Sequence, residues 1–451
     1  MLVLAIIIQT SLRQVFAFMF GLILMSLPCA QIAQSRETLR NFINQSVRVT
    51  GRVADFPVLK KNMWRLTLED ITIEQGNNRY LAHRSCIYVM LPEYITGITK
   101  SDQLVLDAKL SEGFGDYDSM LYWPHVRETN KPDPPDYATL VRTKFSDTLR
   151  AQIPDLDISG LALGYLVGEK GTMSDEFSEA LKNVGMAHAV VASGFHLGVI
   201  IGFAKKYLLK LSRLATLWGS IIAMAIFISI AGFSPSLARA GIVLILTLVA
   251  WYFGRRFHPL RVLLFAATIS LFINPNYIGM IAWQLSFAAY SGIVLISPIL
   301  CSYFYGDKRP GFLASSIIAS VSAQLLCLPL MVFYFGKIPI LGIFVNLVIS
   351  PTIAIAMLLS VITVALSRIS VLGALFSSVL SLLLRLHIYV VSLVNGWPWA
   401  CISLEPQQYW AFIIYPVILI AILAIKRRVG FHYLPRHQFA KRQKYGKIYT
   451  C

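Results

Sequence analysis

The sequence predicts a polytopic α-helical membrane protein with a small all-β domain near its N-terminus. A mean hydropathy of +0.63 with only 14% charged residues excludes an ordinary soluble globule. Residues 46–112 differ from the rest of the chain, because their apolar residues alternate with the period of half-buried strands. The net charge of +17 is uneven, since 22 basic residues follow residue 180 against two acidic ones, Asp307 and Glu405.

Residues 1–34 are predicted to form an N-terminal membrane anchor. An apolar span at residues 15–33 follows Arg13, and no small-residue cleavage site marks it as a removable signal peptide. The span is long enough to cross the hydrocarbon core of a bilayer.

Residues 35–136 are predicted to form the β domain, with about five strands. Turn signals such as Gly76-Asn77-Asn78 separate the alternating runs. Gly113–Tyr117 and the proline-rich segment 131–135 are interpreted as its exit loop and linker. The segment carries 13 Lys or Arg against 14 Asp or Glu, so we expect this domain alone to bind nucleic acid weakly.

Residues 137–183 are predicted to form amphipathic, interfacial helices. Apolar and basic residues alternate with helical spacing from Tyr137 to Arg150, which is typical of a helix at a membrane surface. Ser174 is predicted to cap the N-terminus of a second helix, with Phe177 facing inward.

Residues 184–428 are predicted to form a multi-span membrane core. After residue 202, spans are expected near residues 214–232, 237–253, 260–274, 276–300, 313–334, 338–366, 371–394 and 409–425. Basic clusters occupy alternate loops, as cytoplasmic loops do under the positive-inside rule. This pattern predicts a cytoplasmic N-terminus, an external β domain and a basic cytoplasmic tail at residues 429–451.

Residues 185–202 carry polar side chains within an otherwise apolar stretch, namely His188, Ser193 and His196. If the stretch is one helix, these three side chains share one side, and the glycine stripe Gly194, Gly198 and Gly202 lies roughly opposite. A second stripe, Gly160, Gly164 and Gly168, is its expected packing partner, because small residues let membrane helices approach closely. Ordinary helix contacts and satisfied histidines are the alternative interpretation.

Five further polar residues fall within the predicted spans: Arg239, Gln284, Gln324, Asn346 and Arg385. A charge in hydrocarbon costs at least about 2.5 kcal/mol, so the arginines should snorkel, pair or face a cavity. Gln324 and Asn346 each precede a proline, and broken helices at membrane depth are tolerated where they are buried in protein or line water. Together these residues predict a hydrated path, and interhelical hydrogen bonds are the alternative.

No sequence motif supports catalysis, a cofactor or a metal. HExxH, HxH, GxSxG and Walker patterns are missing from the sequence. Six cysteines are scattered without CxxC spacing, which favours neither a metal site nor a disulfide framework. Ser193 with His188 or His196 as nucleophile and base is disfavoured, because no carboxylate lies nearby in sequence to orient the base.

The motifs resemble those of the ComEC family of competence proteins. Gly185-x-x-His188-x4-Ser193-Gly194-x-His196 is similar to its signature, and Phe233-Ser-Pro-Ser-Leu-Ala-Arg239-Ala, Gln284-Leu-Ser-Phe287 and the Gln324–Asn346 block follow in the family's order. The resemblance covers roughly residues 35–400. It implies an OB-like external domain and a bacterial cytoplasmic-membrane channel that passes single-stranded DNA inward, with the polar residues named above near the path.

The resemblance also implies partners: membrane lipids, a DNA receptor, a cytoplasmic ATPase or helicase, and a separate nuclease, with a homo-oligomer left open. Longer family members carry a C-terminal metallo-β-lactamase-like domain, which we do not expect in this chain, and the N-terminus resembles a shortened one. Within an OB-like barrel, Trp64, Tyr88 or Tyr94 could stack on bases, at about 1–3 kcal/mol per base.

Three alternatives stay open at this point, one of which is a chain that lacks activity because its nuclease half is missing. A small-molecule or ion transporter on the same scaffold would predict inverted repeats and a compact midplane site. An intramembrane hydrolase would use Ser193 and should react with a serine-directed probe.

Overall fold

The computed structural model describes residues 26–429, except residues 61, 77, 83–84, 96, 114–116, 133–135, 170–172, 191–192, 233, 256–257, 307, 309 and 406–408. Most of the predicted anchor at residues 1–34 and nearly all of the predicted tail at residues 429–451 therefore lie outside the described residues. A first helix, α1 (Ser26–Asn41), leads into the β domain.

The β domain is a closed, OB-like barrel of five strands. Its strands are β1 (Ser46–Val53), β2 (Val58–Lys60), β3 (Met63–Gln75), β4 (Asn78–Ala82), β5 (Ile87–Pro92), β6 (Gln103–Glu112), β7 (Ser119–Tyr122) and β8 (His125–Asn130). The order β1-β3-β5-β7-β6 closes through a β1–β6 pairing, and β2, β4 and β8 pair outside this path. Alternate residues such as Val49, Ile73 and Leu106 fill the interior at 0% exposure, as the period of two predicts.

The predicted exit at Gly113 is wrong, because the barrel continues beyond it. Strand β7 pairs in parallel with β5 and antiparallel with β6, which closes the barrel, and β8 adds to β6. A four-residue strand is too short to show an alternating pattern, so only its pairing partners reveal it.

The remainder is helical. The helices are α2 (Tyr137–Gln152), α3 (Leu156–Val167), α4 (Asp175–Asn183), α5 (Gly194–Leu208), α6 (Arg213–Ala231), α7 (Pro235–Tyr252), α8 (Pro259–Ile273), α9 (Ile281–Leu295), α10 (Ser297–Tyr305), α11 (Phe312–Phe335), α12 (Gly342–Leu366), α13 (Ser370–Asn395) and α14 (Ile414–Val429). Among the described residues, five helical segments are long and apolar enough to cross a membrane: Arg213–Ala231, Ile281–Tyr305, Phe312–Phe335, Gly342–Leu366 and Ser370–Asn395. The protein is a polytopic helical membrane protein.

Most of the predicted spans match these helices. The span expected at residues 276–300 instead begins at Ile281 and continues to Tyr305, and the one expected from residue 409 becomes α-helical at Ile414. The span expected from residue 338 begins at Gly342, because β9 (Lys337–Pro339) pairs with β10 (Cys401–Ser403). Helices α11 and α12 continue through Pro329 and Pro351, so the expected breaks are not formed there. A proline removes one backbone donor, and neighbouring membrane helices can hold the remaining turns together.

Helix α2 packs against the membrane core through a buried face that is mostly polar. Thr139, Arg142, Ser146 and Leu149 are buried on this face. Helix α3 follows antiparallel and is almost entirely enclosed. At the start of α4, Ser174 Oγ accepts a hydrogen bond from Phe177 N at 3.2 Å, and Phe177 is 5% exposed, which confirms the predicted cap.

The barrel contacts one end of the helical core. Arg36 donates to Asp118 of the barrel at 2.7 Å and to Asn276, between α8 and α9, at 3.2 Å. Phe56 of the barrel lies against Gly232, between α6 and α7, since a Cβ atom added there would be 3.4 Å from its ring. The α6–α7 and α8–α9 connections therefore lie at the barrel end of the core.

Candidate functional site in the membrane core

The 185–202 stretch is not one helix. Residues 186–190 form turns, and α5 begins at Gly194, with Ser193 as its N-cap. The Ser193 N–H donates to His196 Nδ1 at 3.1 Å, and Ser193 Oγ lies 2.9 Å from the same nitrogen. Because Nδ1 accepts the backbone N–H, the neutral ring carries its proton on Nε2. Ser193 and His196, which the periodicity placed along one continuous helix, instead form the N-terminal cap of α5.

Three parts of the core lie close to residues 185–190 and to the start of α5 at Gly194. A Cβ atom added at Gly185 would lie 2.8 Å from Pro339. A Cβ atom added at Gly164 of α3 would lie 2.9 Å from Val190 O. A Cβ atom added at Gly194 would lie 3.0 Å from Ala240 Cβ of α7. Close approach at these glycines fixes the segment in place.

The two glycine stripes do not pack on each other as expected. Gly160 is buried, Gly164 faces Val190, and Gly168 ends α3 in the left-handed conformation at φ 69°. Added Cβ atoms at Gly198 and Gly202 would meet nothing within 4 Å among the described residues. The helix start at Gly194, rather than a stripe along α5, makes the close contact.

His188 and His196 differ in their surroundings. His188 is exposed, and its Nδ1 lies 2.9 Å from Gly185 O within the turn. His196 is 1% exposed, and its Nε2 has no hydrogen-bond partner among the described residues. No carboxylate in the described part of the chain orients the ring, so the Ser193–His196 pair functions as a helix cap in this structure.

Arg239 lies beside the start of α5. A Cβ atom added at Gly194 would be 3.5 Å from Arg239 Nη2. The guanidinium lies 5.8 Å from the ring centre of Phe287 and 5.4 Å from that of Tyr290, both on α9. Its Nε is buried and has no hydrogen-bond partner among the described residues. An arginine of the predicted path therefore does contact the histidine segment.

Gln284 continues this polar region along α9. Its Nε2 donates to Ile278 O at 2.9 Å, and its Oε1 accepts from Tyr334 OH at 3.0 Å. On the neighbouring turn, Ser286 Oγ lies 3.1 Å from Ser236 Oγ of α7. Helices α5, α7, α9 and α11 thus meet around the residues of three sequence motifs.

Gln324 and Asn346 have separate partners. Gln324 Nε2 donates to Pro339 O at 2.6 Å, which connects α11 to the strand that supports Gly185. Asn346 Nδ2 donates to Ser320 Oγ at 3.1 Å, between α12 and α11. Both amides make contacts between segments, as the alternative interpretation from sequence described.

Arg385 does not join this site. It is exposed on α13 and lines a cavity of about 470 Å³ with Gln152, Asp155 and Ser381 among other residues. The structure thus separates two arginines that the sequence treated alike.

The sequence analysis missed a buried histidine and a buried arginine. His387 of α13 is 2% exposed, with Nδ1 3.3 Å from Tyr165 OH and Nε2 2.7 Å from Thr352 Oγ1. An ionisable residue inside an apolar span was the available signal. Arg142 of α2 is 6% exposed.

The exposed aromatics of the barrel also differ from expectation. Tyr94 is 81% exposed, whereas Trp64 is half-buried with Nε1 donating to Glu93 O at 3.3 Å. Tyr88 is buried beside Tyr117, so it is not open to a base. Trp123 was not predicted, yet it is 68% exposed and has a positive φ of 52°.

The described residues contain no group of three or more His, Cys, Asp or Glu side chains that could hold a metal ion. Cys86, Cys301, Cys327 and Cys401 form no disulfide bond among the described residues. The site consists of a capped helix start, an arginine over two aromatic rings and neutral hydrogen-bonding groups. Such a site can contact a ligand, and no reactive centre is assembled around it in the described part of the chain.

The fold and this site define a polytopic membrane protein that carries an OB-like barrel above a polar site in its helical core. The chain belongs to the competence protein family, whose sequence profile matches residues 165–429. The matched range includes the residues 185–196, Arg239 and Gln284.

Two curated relatives match parts of the chain. ComE operon protein 3 of Bacillus subtilis (strain 168) is 24% identical over 236 residues, which cover 49% of this chain and 29% of that protein. An uncharacterized protein of Aquifex aeolicus (strain VF5) is 26% identical over 162 residues, 35% of this chain and 38% of that protein. The matches thus span less than two fifths of either relative. No solved structure matches significantly.

Proposed function

We propose that this protein takes part in DNA uptake during competence, as a non-catalytic channel that passes single-stranded DNA inward across the cytoplasmic membrane. The observation that supports this most strongly is that the competence-family match covers the polar site in the membrane core. The site offers positive charge and hydrogen-bond donors inside a helical bundle, and a charged polymer needs such groups to leave water.

The contacts between barrel and core support an external barrel. Helix α6 ends at Gly232, beside Phe56, so its start near Arg213 lies at the end away from the barrel. Helix α7 returns to that far end, where Arg255 follows it, and α8 leads back to Asn276 beside Arg36. Basic loops at the far end are typical of the cytoplasmic side.

In this proposal the barrel receives the strand and the core conducts it. Tyr94 and Trp123 offer exposed aromatic faces on the barrel, and such faces bind bases without sequence preference. A DNA receptor, a cytoplasmic ATPase or helicase and a nuclease would be separate partners, because this chain shows no motif for their chemistry.

The test is uptake of labelled DNA into the cytoplasm of the source bacterium. Deleting the gene should abolish cytoplasmic label, and the wild-type chain should restore it. The His196→Ala chain should restore less at equal membrane abundance, because the ring caps α5 beside Arg239. Full uptake without the gene would refute the proposed function.

A further inference from the structure

Arg239 is a half-buried arginine of the core, and its enclosed Nε has no polar partner among the described residues. Arg142 donates to three backbone carbonyls, and Arg385 lies in an open cavity that also contains Asp155. Arg239 takes part in no hydrogen bond or ion pair among the described residues, and its contacts are the rings of Phe287 and Tyr290.

Aromatic rings offset only part of the cost of removing a cation from water. A cation–π contact offsets part of the desolvation of a cation, and a half-buried guanidinium without an anionic partner keeps an uncompensated remainder. The Arg239 side chain is half-buried, with Nε enclosed, so its guanidinium offers an unpaired charge to an anion.

The groups beside Arg239 are donors as well. Arg239 Nη2 lies next to the first turn of α5, as the 3.5 Å separation from an added Gly194 Cβ shows. The first N–H groups of a helix have no acceptor within the helix, and the helix dipole favours an anion there. His196, at the third position of α5, is 1% exposed, and its Nε2 has no acceptor among the described residues.

We infer that Arg239 and the first turn of α5 bind a phosphodiester group of the DNA backbone. This inference rests on the proposed function and adds the chemistry of the contact: the guanidinium and the helix N–H groups meet the phosphate oxygens, and no base is read. Arg385 takes no part in this site, and neutral Gln284 and Ser286 line the adjoining surface of α9.

The test measures binding of a fluorescent oligodeoxythymidine to the purified full-length chain in lipid nanodiscs. A methylphosphonate oligomer of equal length serves as the uncharged probe. Arg239→Gln should lower phosphodiester affinity roughly tenfold and reduce the salt slope by about 1, as loss of one phosphate contact predicts. Binding of the uncharged oligomer should not change.

Two further variants control for charge and folding. Arg239→Lys keeps the charge and should keep the full salt slope, with an affinity between those of wild type and Arg239→Gln, because lysine lacks the planar fork of the guanidinium. Arg261→Gln removes an exposed arginine at the start of α8 and should leave both probes unaffected. Equal losses for both probes in Arg239→Gln would mark a structural role and overturn the inference.

Failure of the inference is distinguishable from failure of the proposed function. If wild type and Arg239→Gln bind the phosphodiester oligomer equally while the gene still restores DNA uptake, the phosphate site is wrong and the uptake role stands. If the gene is dispensable for uptake, the proposed function fails. Phosphodiester-selective, Arg239-dependent binding would then still show an anion site, for another ligand.

Discussion

The Arg142 guanidinium of α2 lies 3.7 Å from the ring centre of Phe56, a barrel residue. The same guanidinium donates to Val167 O at 2.6 Å and to Ile230 O and Ala231 O at 3.0 Å each, at the C-terminal ends of α3 and α6. Burial lowers the pKa of Arg142 to about 10, so it is charged at neutral pH. One side chain thus joins the barrel to two helix ends, where a cation is favoured.

We expect Phe56→Ala and Arg142→Gln each to lower the unfolding midpoint of the purified chain. Arg142→Gln should cost more, because it removes donors from three carbonyls. The double variant should cost less than the sum, by the cation–π contribution of about 0.5–2 kcal/mol. Thermal unfolding in detergent measures this coupling. Tyr94→Ala is the matched control, since that ring is 81% exposed, and strict additivity of the two variants would contradict the contact.

Gly292 of α9 is predicted to be intolerant of any side chain. An added Cβ would clash with Ser322 O and lie 2.8 Å from Ser322 C, both backbone atoms of α11. Overpacking costs about 1–3 kcal/mol when a backbone must move, so Gly292→Ala should reduce the yield of folded, monodisperse protein in size-exclusion chromatography. Gly198→Ala on α5 meets nothing within 4 Å and should fold normally. The reverse ranking would show that the α9–α11 packing is wrong.

The His387 contacts should contribute unequally to stability. Tyr165→Phe removes one hydrogen bond, at about 0.6 kcal/mol for such bonds between membrane helices. Thr352→Val removes two, because Thr352 Oγ1 also donates to Ile349 O at 2.7 Å. His387→Ala removes both hydrogen bonds of the ring and leaves a cavity, so it should cost more than about 2 kcal/mol. Unfolding curves in mixed micelles provide the comparison, with exposed Tyr389→Phe as control. Equal effects of Tyr165→Phe and His387→Ala would exclude the histidine as the central group.

Glu179 of α4 should make stability depend on pH. Hydrogen bonds from Lys337 and Lys182 hold the pKa of this carboxyl below its usual value of 4.5. A lowered folded pKa stabilises the protein above pH 4.5, and this contribution is lost as the pH falls through the folded pKa. Wild type should exceed Glu179→Gln in stability at pH 7, and in pH-dependent unfolding the difference should shrink as the pH falls through the lowered folded pKa. If the stability difference between wild type and Glu179→Gln grew on acidification, the ion pair of Glu179 with the two lysines would be contradicted.

The sequence by itself determined the spans, the presence of the barrel and the residues of the core motifs. Helices such as α6 and α13 begin and end within one or two residues of the predicted spans, because hydropathy and periodicity are local properties. The helix cap at Ser174 could also be predicted from the sequence, because a cap depends on neighbours a few residues away. The polar residues His188, Ser193 and His196 could be picked out for the same reason.

Only the tertiary structure decided which polar groups meet. Arg239 and Arg385 both read as arginines in apolar spans, yet one lies beside the start of α5 and the other lines an open cavity. Arg142 reaches Ile230 across 88 residues of chain, and no local pattern encodes such a contact. Where a buried charge finds its partner depends on helix packing and loop closure, which bring together segments that are distant in sequence.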